Sequence, residues 1–293
     1  MTAHPRRCAL FTADGRLGNQ MFQAAFLESL LAPGDRLYSM VLEALLEGFV
    51  WNRFEVRNTP NVPSRRWLKR LMRNTGQLAV WLRLGAGVRQ RRRIFTVDGR
   101  SYQLLGEEIE RSKGLFDRFI YIHKGYFQSA DHAESGSFRL KEQYLAAARA
   151  FLATLPPGPA AFVHMRRGDY KNWTVLGRSP LIGPGYFSRG MALIEKAAPG
   201  TQFVLLSDEI EAAAEALPGA NLHVFRGANV YEDFGMMTLC AGGIISNSTL
   251  SWWGGRMCGR TLPVVSPEGW LTPHLGLEYP IGITGAWMTP IEP

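Results

Sequence analysis

His164, Arg166, Arg167 and Asp169 stand together in HMRRGDY (164–170), directly after the apolar run AAFV (160–163). Burying such a cluster is costly unless a partner answers its charge. Guanidinium forks bind phosphate oxygens two at a time and stay charged at any physiological pH, so an arginine pair suits a phosphate or diphosphate. A diphosphate leaving a sugar gains negative charge as the bond breaks. Fixed positive charge there stabilises the transition state more than the ground state. The same residues also read as a salt-bridge cluster closing a strand, with Asp169 orienting one arginine. The RGD triplet inside the cluster is incidental.

A second constellation is SNSTLSWWGG (246–255). Ser246, Asn247, Ser248 and Thr249 fall where an apolar run gives way to a helical pattern. Hydroxyls and backbone N–H groups at a helix start hold anions, and the same residues also serve as plain caps. Trp252 and Trp253 read as packing or as the lining of a sugar pocket. A third is DGRLGNQMFQAAF (14–26), in which Gly15 and Gly18 permit a tight turn close to a ligand while Asn19 and Gln20 offer uncharged hydrogen bonds. Its glycine spacing fits neither a dinucleotide fingerprint nor a P-loop. Ser207 and Asp208 either reach a ribose or base, or cap the next helix with Glu211 as the second half of a capping box. No two aspartates are spaced Asp-x-Asp, and the six histidines show no two-ligand helical spacing. A bound diphosphate would then be neutralised by arginine and helix dipole, with no metal expected.

These residues need a scaffold, and the C-terminal half supplies a regular one. The runs 160–165, 201–206, 221–225, 242–247 and 261–266 read as short apolar strands. Between them, 186–198, 208–217, 231–241 and 249–259 read as helices. Such alternation implies βαβ units around a parallel sheet, whose ligands collect at the carboxyl ends of the strands. Three strand ends carry polar clusters: His164 to Arg167, Ser207 with Asp208, and Ser246 to Ser248. The N-terminal half is less legible. CALFTA (8–13) reads as a strand feeding a tight turn, with a helix from about Gln20. LATLPPGPAA (152–161) is the most linker-like stretch, which predicts an N-terminal domain over 1–152 and a C-terminal domain over 153–293.

With 293 residues and 46% hydrophobic composition, the chain can bury two cores. No run approaches the roughly 20 apolar residues of a membrane span, and the opening stretch lacks a signal peptide's apolar core; a cytoplasmic protein is expected. Cys8, Cys240 and Cys258 have no metal-ligand spacing and read as reduced thiols. The net charge of +8 is uneven: from Arg65 to Arg93 there are ten Lys or Arg and no Asp or Glu, interleaved with Trp67, Leu68, Leu71, Leu78, Trp81 and Leu82. The segment reads either as a peripheral contact with an anionic membrane or as the solvated basic face of ordinary helices. No nucleic-acid partner is expected. A non-catalytic binder of polyanions or membrane surfaces remains an alternative to an enzyme.

Taken in order, GRLGNQMFQ (15–23), GYFQSADH (125–132), HMRRGDY (164–170) and SNSTLSWWGG (246–255) resemble the motif set of the alpha-1,2-fucosyltransferases of glycosyltransferase family 11. The resemblance spans about residues 10 to 270. It implies a GT-B fold, two Rossmann-like α/β domains facing a cleft, the acceptor on the N-terminal one and GDP-fucose on the C-terminal one. It further implies inverting, metal-independent transfer to the 2-hydroxyl of a galactose in an oligosaccharide, which could be lipid-linked; transfer from another GDP-sugar is the alternative. By motif position Arg166 grips the donor's β-phosphate with His164 beside it, and Asn19 faces the reaction centre. Ser248, Thr249 and Leu250 hold phosphates and base, and Asp233 contacts the nucleoside. Gly18, Arg167, Ser207, Asp208, Ser246 and Asn247 complete the expected donor site. Asp169 is the nearest candidate base. Leu250 stands where the family has phenylalanine, and Gly255 and Arg256 stand where it commonly has Ala-Trp.

Overall fold

The computed structural model describes residues 6–60, 66–97, 99–116, 118–217, 219, 221–275 and 277–293. Arg65 and the first five residues of the chain lie outside them. The chain forms two compact units, residues 1–139 and 140–293.

In the first unit β1 (Cys8–Thr12) leads into α1 (Leu17–Leu30), then β2 (Arg36–Met40), α2 (Glu43–Gly48) and the two-residue β3 (Phe49–Val50). After β4 (Glu55–Thr59) come α3 (Arg66–Trp81), β5 (Ala86–Val97), β6 (Arg100–Ser112), β7 (Phe119–Ile122) and α4 (Ala130–Ala133). The sheet order is β4-β2-β1-β7-β5-β6, parallel except for the antiparallel β5–β6 pair. The chain runs outward from β1 through β2 to β4, then crosses by α3 to the far side and returns through β7. The direction of winding therefore reverses between β1 and β7.

A short β8 (Arg139–Leu140) spans the division between units. The second unit continues with α5 (Ala146–Leu152), β9 (Ala160–Met165), α6 (Pro184–Ala197), β10 (Gln202–Ser207), α7 (Ile210–Ala216) and β11 (Leu222–Val224). Then follow α8 (Val230–Leu239), β12 (Gly242–Ile244), α9 (Thr249–Met257), β13 (Val264–Pro267) and β14 (Met288–Ile291). Its six strands lie in the order β11-β10-β9-β12-β13-β14, every pair parallel. This is the 3-2-1-4-5-6 winding of a Rossmann sheet, with its switch point between β9 and β12. The two Rossmann-like units bear out the GT-B expectation for the chain's architecture.

Local sequence explains the strands. A central parallel strand is covered on both faces and reads as a continuous apolar run; in β9 Ala161, Phe162, Val163 and Met165 are fully buried. Val163, Met165, Tyr186, Phe187, Phe203, Leu205, Ile244 and Val265 form the core under this sheet. The Tyr186 hydroxyl donates to Ile245 O at 2.8 Å, so even the one polar end in that layer is satisfied.

Three expectations are adjusted. Helix α1 begins at Leu17, ahead of Gln20, because Gly15 takes a left-handed φ of +81° that ends the turn early. The division between units precedes the proline-rich stretch: α5 goes with the second unit, where the Phe151 ring meets Phe225 edge-on at 5.2 Å. The basic segment is helical only as far as Trp81. Arg89 and Arg91 to Arg93 lie on β5, whose β6 partner carries the acids: Arg89 pairs with Glu110 at 2.5 Å, Arg91 with Glu108 at 3.0 Å and Arg93 with Glu108 at 2.6 Å. Periodicity within 65–93 could not reveal counter-charges that arrive from a later strand.

Candidate functional site

In the second unit the polar residues collect on both sides of the switch point. Strand β9 ends in His164 and Met165, and Arg166 follows immediately. The Arg166 side chain is 16% exposed. Its Nε and Nη2 donate to Asp169 Oδ1 at 3.0 and 2.6 Å, and Nη1 lies 3.0 Å from Asp208 Oδ2. Asp169 therefore orients the guanidinium, one of the two roles left open for it. Asp208 follows Ser207 at the end of β10 and also accepts from the Arg167 backbone N–H at 2.9 Å. A Cβ at Gly168 would run into Asp208 Oδ2, so a larger residue there would displace the Asp208 carboxylate from its present place. Arg167 Nε reaches Glu209 at 3.5 Å, and Lys171 meets the same carboxylate at 2.5 Å.

Tyr170 connects the two sides. Its ring lies under the Arg166 guanidinium, 5.8 Å from Cζ to centroid, and its hydroxyl donates to Asn247 O at 2.9 Å. Asn247 immediately precedes Ser248, the N-cap residue of α9. That cap makes no side-chain bond to the helix, and no acid lies in the first turn. The positive end of α9 thus has no carboxylate of its own to offset it. The arrangement can hold an anion: a braced guanidinium on one side of the switch point and a helix N-terminus on the other.

The remaining expected residues divide into supports and exposed positions. His164 is 5% exposed, and its Nδ1 lies 3.1 Å from Ser246 Oγ, tying β9 to β12. Burial pushes its pKa from 6.5 down to about 4, Arg166 reinforces this and Asp208 opposes it, so the ring is neutral near pH 7. Ser246 and Asn247 are buried; the Asn247 amide donates to Pro180 O at 2.6 Å. Thr249 and Leu250 are partly exposed on the first turn of α9. Ser207 does not cap α7: its hydroxyl donates to Met165 O at 2.7 Å and accepts from Glu209 N–H, fastening the ends of β9 and β10. Asp233, in the first turn of α8, accepts from Gly227 N–H at 3.0 Å. Burial raises its pKa to about 6, with Glu232 adding to the rise and the Gly227 bond opposing it. At Gly255 a Cβ would stand 2.7 Å from Val264 Cγ1, so a larger residue there would have to displace that buried side chain.

The first unit gathers the other two motifs. Asn19, at the start of α1, accepts from Gln128 Nε2 at 2.8 Å. Gln23 donates to both Asp14 O and Gly125 O, at 3.1 and 3.0 Å. Lys124 Nζ lies 2.7 Å from Asp14 Oδ2, and the Tyr126 hydroxyl donates to the same oxygen. Burial would raise the Asp14 pKa, but Lys124, Tyr126 and the Gly15 N–H outweigh it and leave it lowered. Phe127, held at φ +52°, stacks on Phe26 of α1 at 3.9 Å and carries Gln128 toward Asn19. Gly18 is buried at the first turn of α1. Residue types had singled out neither Gln128, Tyr170 nor Lys124. The first two lie inside quoted motifs, which was the available signal; the Lys124–Asp14 pair had none.

A search of curated proteins finds no sequence match. Three crystal structures illustrate the structural likeness. NodZ alpha-1,6-fucosyltransferase co-crystallized with GDP is 12% identical, with a TM-score of 0.47 over 87% of this chain and 93% of that one. Fucosyltransferase NodZ from Bradyrhizobium is 12% identical, at 0.46 over 87% and 94%. POFUT1 in complex with GDP-fucose is 14% identical, at 0.43 over 90% and 98%. The sequence model of glycosyl transferase family 11 matches residues 95–270, which takes in β9 with its arginines, the GYFQSADH block and the whole of α9. That match covers more than half of the residues and includes both sides of the switch point; the chain belongs to glycosyl transferase family 11.

Proposed function

We propose that the chain transfers L-fucose from GDP-fucose to the 2-hydroxyl of a galactose in an oligosaccharide, with inversion and without a metal ion. The observation that carries this reading is Arg166, braced by Asp169 and Asp208, sharing the switch point of the second unit with the uncapped start of α9. The two carboxylates engage three of its five N–H donors, which leaves donors for phosphate oxygens. In this mechanism the donor diphosphate lies between Arg166 and α9, with Thr249 and Leu250 against it. The galactose hydroxyl attacks the anomeric carbon from the face opposite GDP. Arg166 and the helix start stabilise the charge that develops on the departing β-phosphate. His164, neutral and bonded to Ser246, positions the end of β9. Asn19, steadied by Gln128, belongs to the acceptor side on the first unit.

Arg166→Ala is expected to lower kcat by about 10²–10³-fold, as loss of a transition-state donor does elsewhere, with the melting transition retained. The assay is mass spectrometry of a reaction holding GDP-fucose, lactose and EDTA. Near-normal turnover in the variant overturns the assignment, as does turnover with another GDP-sugar only.

A second, compatible reading concerns α3. Trp67, Leu71, Leu78 and Trp81 fall on one helical face and are exposed, the two tryptophans by 64% and 77%. Leu115 and Phe116 are exposed as well, in a loop whose N–H groups bond to Arg83 O and Leu84 O just past the end of α3. No described helix is long and apolar enough to cross a membrane. An exposed Trp/Leu face flanked by Lys and Arg suits the surface of an anionic bilayer. Trp67→Ala with Trp81→Ala is expected to abolish co-sedimentation with phosphatidylglycerol vesicles; undiminished binding refutes it.

A further inference from the structure

The first unit contains a cavity of about 690 Å³ that neither motif occupies, lined by Thr12, Tyr121, Ile122, His123 and Lys124 and by Lys69, Arg70, Arg73 and Gln77 of α3. Its floor is the carboxyl end of β1 and β7. These are the strands between which the winding reverses, so the cavity lies where parallel sheets take their ligands. Helix α3 closes over it because Gly76 brings the helix backbone against the Tyr121 ring, which any Cβ would strike. The volume falls in the range of pockets for small ligands.

The charge is one-sided. Among the described residues, Lys69, Arg70 and Arg73 have no carboxylate partner, and Lys124 meets one, Asp14. Four cations around one opening repel each other, and an anion relieves that repulsion. Tyr121, Thr12 and Gln77 add uncharged donors. Burial, with the Arg89 charge behind it, lowers the His123 pKa, which leaves the ring a neutral donor. Through the Lys124–Asp14 pair and the Asp14–Tyr126 bond, the cavity adjoins the block that holds Gln128 against Asn19.

We infer that this cavity receives an anionic group, carboxylate or phosphate, carried on the saccharide acceptor, so that the enzyme acts on acidic glycans in preference to neutral ones. The inference rests on the acceptor reading given above. Two disaccharides isolate the charge: lactobionate and lactitol share a terminal galactose and an acyclic second residue, and differ by one carboxylate. The kcat/KM ratio of lactobionate to lactitol should be about tenfold, the size of one charged hydrogen bond. It should fall to near unity in Lys69→Gln/Arg73→Gln and survive in the charge-keeping Lys69→Arg/Arg73→Lys. A ratio near unity in the unmodified chain, or one unchanged by the Gln variant, overturns the inference.

Calorimetry separates its failure from failure of the galactose reading. Pyrophosphate titrated into the GDP-saturated chain reads the cavity whatever the acceptor, and its Kd should rise about tenfold in the Gln variant. Absence of a pyrophosphate site, or an unchanged Kd, sinks the cavity while leaving the transfer reaction intact. Displacement of pyrophosphate by phosphatidylglycerol vesicles would assign the cavity to lipid headgroups and overturn the saccharide assignment.

Discussion

Acidification offers a quantitative check on the switch point. His164 has an unperturbed pKa of 6.5 and a folded one of about 4, because its ring is buried between β9 and β12 beside Arg166. The unfolded chain therefore binds a proton that the folded chain refuses between those two values. Stability from this group is complete above pH 6.5 and is lost as pH falls through 6.5 toward 4. At about 1.4 kcal/mol per pH unit the loss reaches roughly 3 kcal/mol by pH 4. The comparison is His164→Gln, which keeps a hydrogen-bonding amide near Ser246 Oγ but does not titrate. At pH 7 the variant should be less stable by about 1–2 kcal/mol, for one hydrogen bond and imperfect packing. At pH 4 the order should reverse, because only the parent still bears the cost of a buried histidine. Urea melts of both proteins at the two pH values measure this, since the difference between them cancels the other titrating groups. If the gap between parent and variant is the same at both pH values, the ring is not held neutral and the described environment is wrong.

Two further outcomes are expected. Gly168→Ala should force Asp208 away from Arg166 and from the Arg167 N–H, costing about 1–3 kcal/mol and lowering GDP release from GDP-fucose at least tenfold; unaltered melting and turnover would show that the loop tolerates a Cβ. Asp233 carries a folded pKa of about 6 against 3.8, so its contribution is complete below 3.8 and declines as pH rises through about 6. Asp233→Asn should then gain about 1–3 kcal/mol over the parent at pH 8 relative to pH 4, and parallel pH profiles in chemical denaturation would refute this.

Much of the second unit was readable from residue order alone. The apolar runs that become β9, β10, β12 and β13 are short and uninterrupted, as doubly covered parallel strands must be, and the intervening helices carry their own periodicity. The first unit hid more. Strands β5 and β6 form a long, solvated hairpin in which Arg89, Arg91 and Arg93 are answered by Glu108 and Glu110, and such a pattern mimics a basic helix face until the partner strand is placed. Gln128 carried no chemical signal of its own. Its importance comes from Asn19, 109 residues earlier, and from the left-handed turn at Phe127 that aims it.

The order of residues by itself determined which side chains end the strands, because alternation and motif spacing are local properties that need no knowledge of neighbours. It also determined the family, since GYFQ, HMRRGDY and SNST are contiguous strings. Tertiary structure alone decided how those ends are shared: that β9 lies beside β12, that Arg166 is braced by Asp169 and Asp208 rather than either one, that His164 is a neutral tie, and that α3 sets Lys69, Arg70 and Arg73 over the β1/β7 reversal. The physical reason is range. Hydrophobic period and turn chemistry act over a few residues, whereas charge pairing and burial depend on strand order, which brings together groups dozens of positions apart.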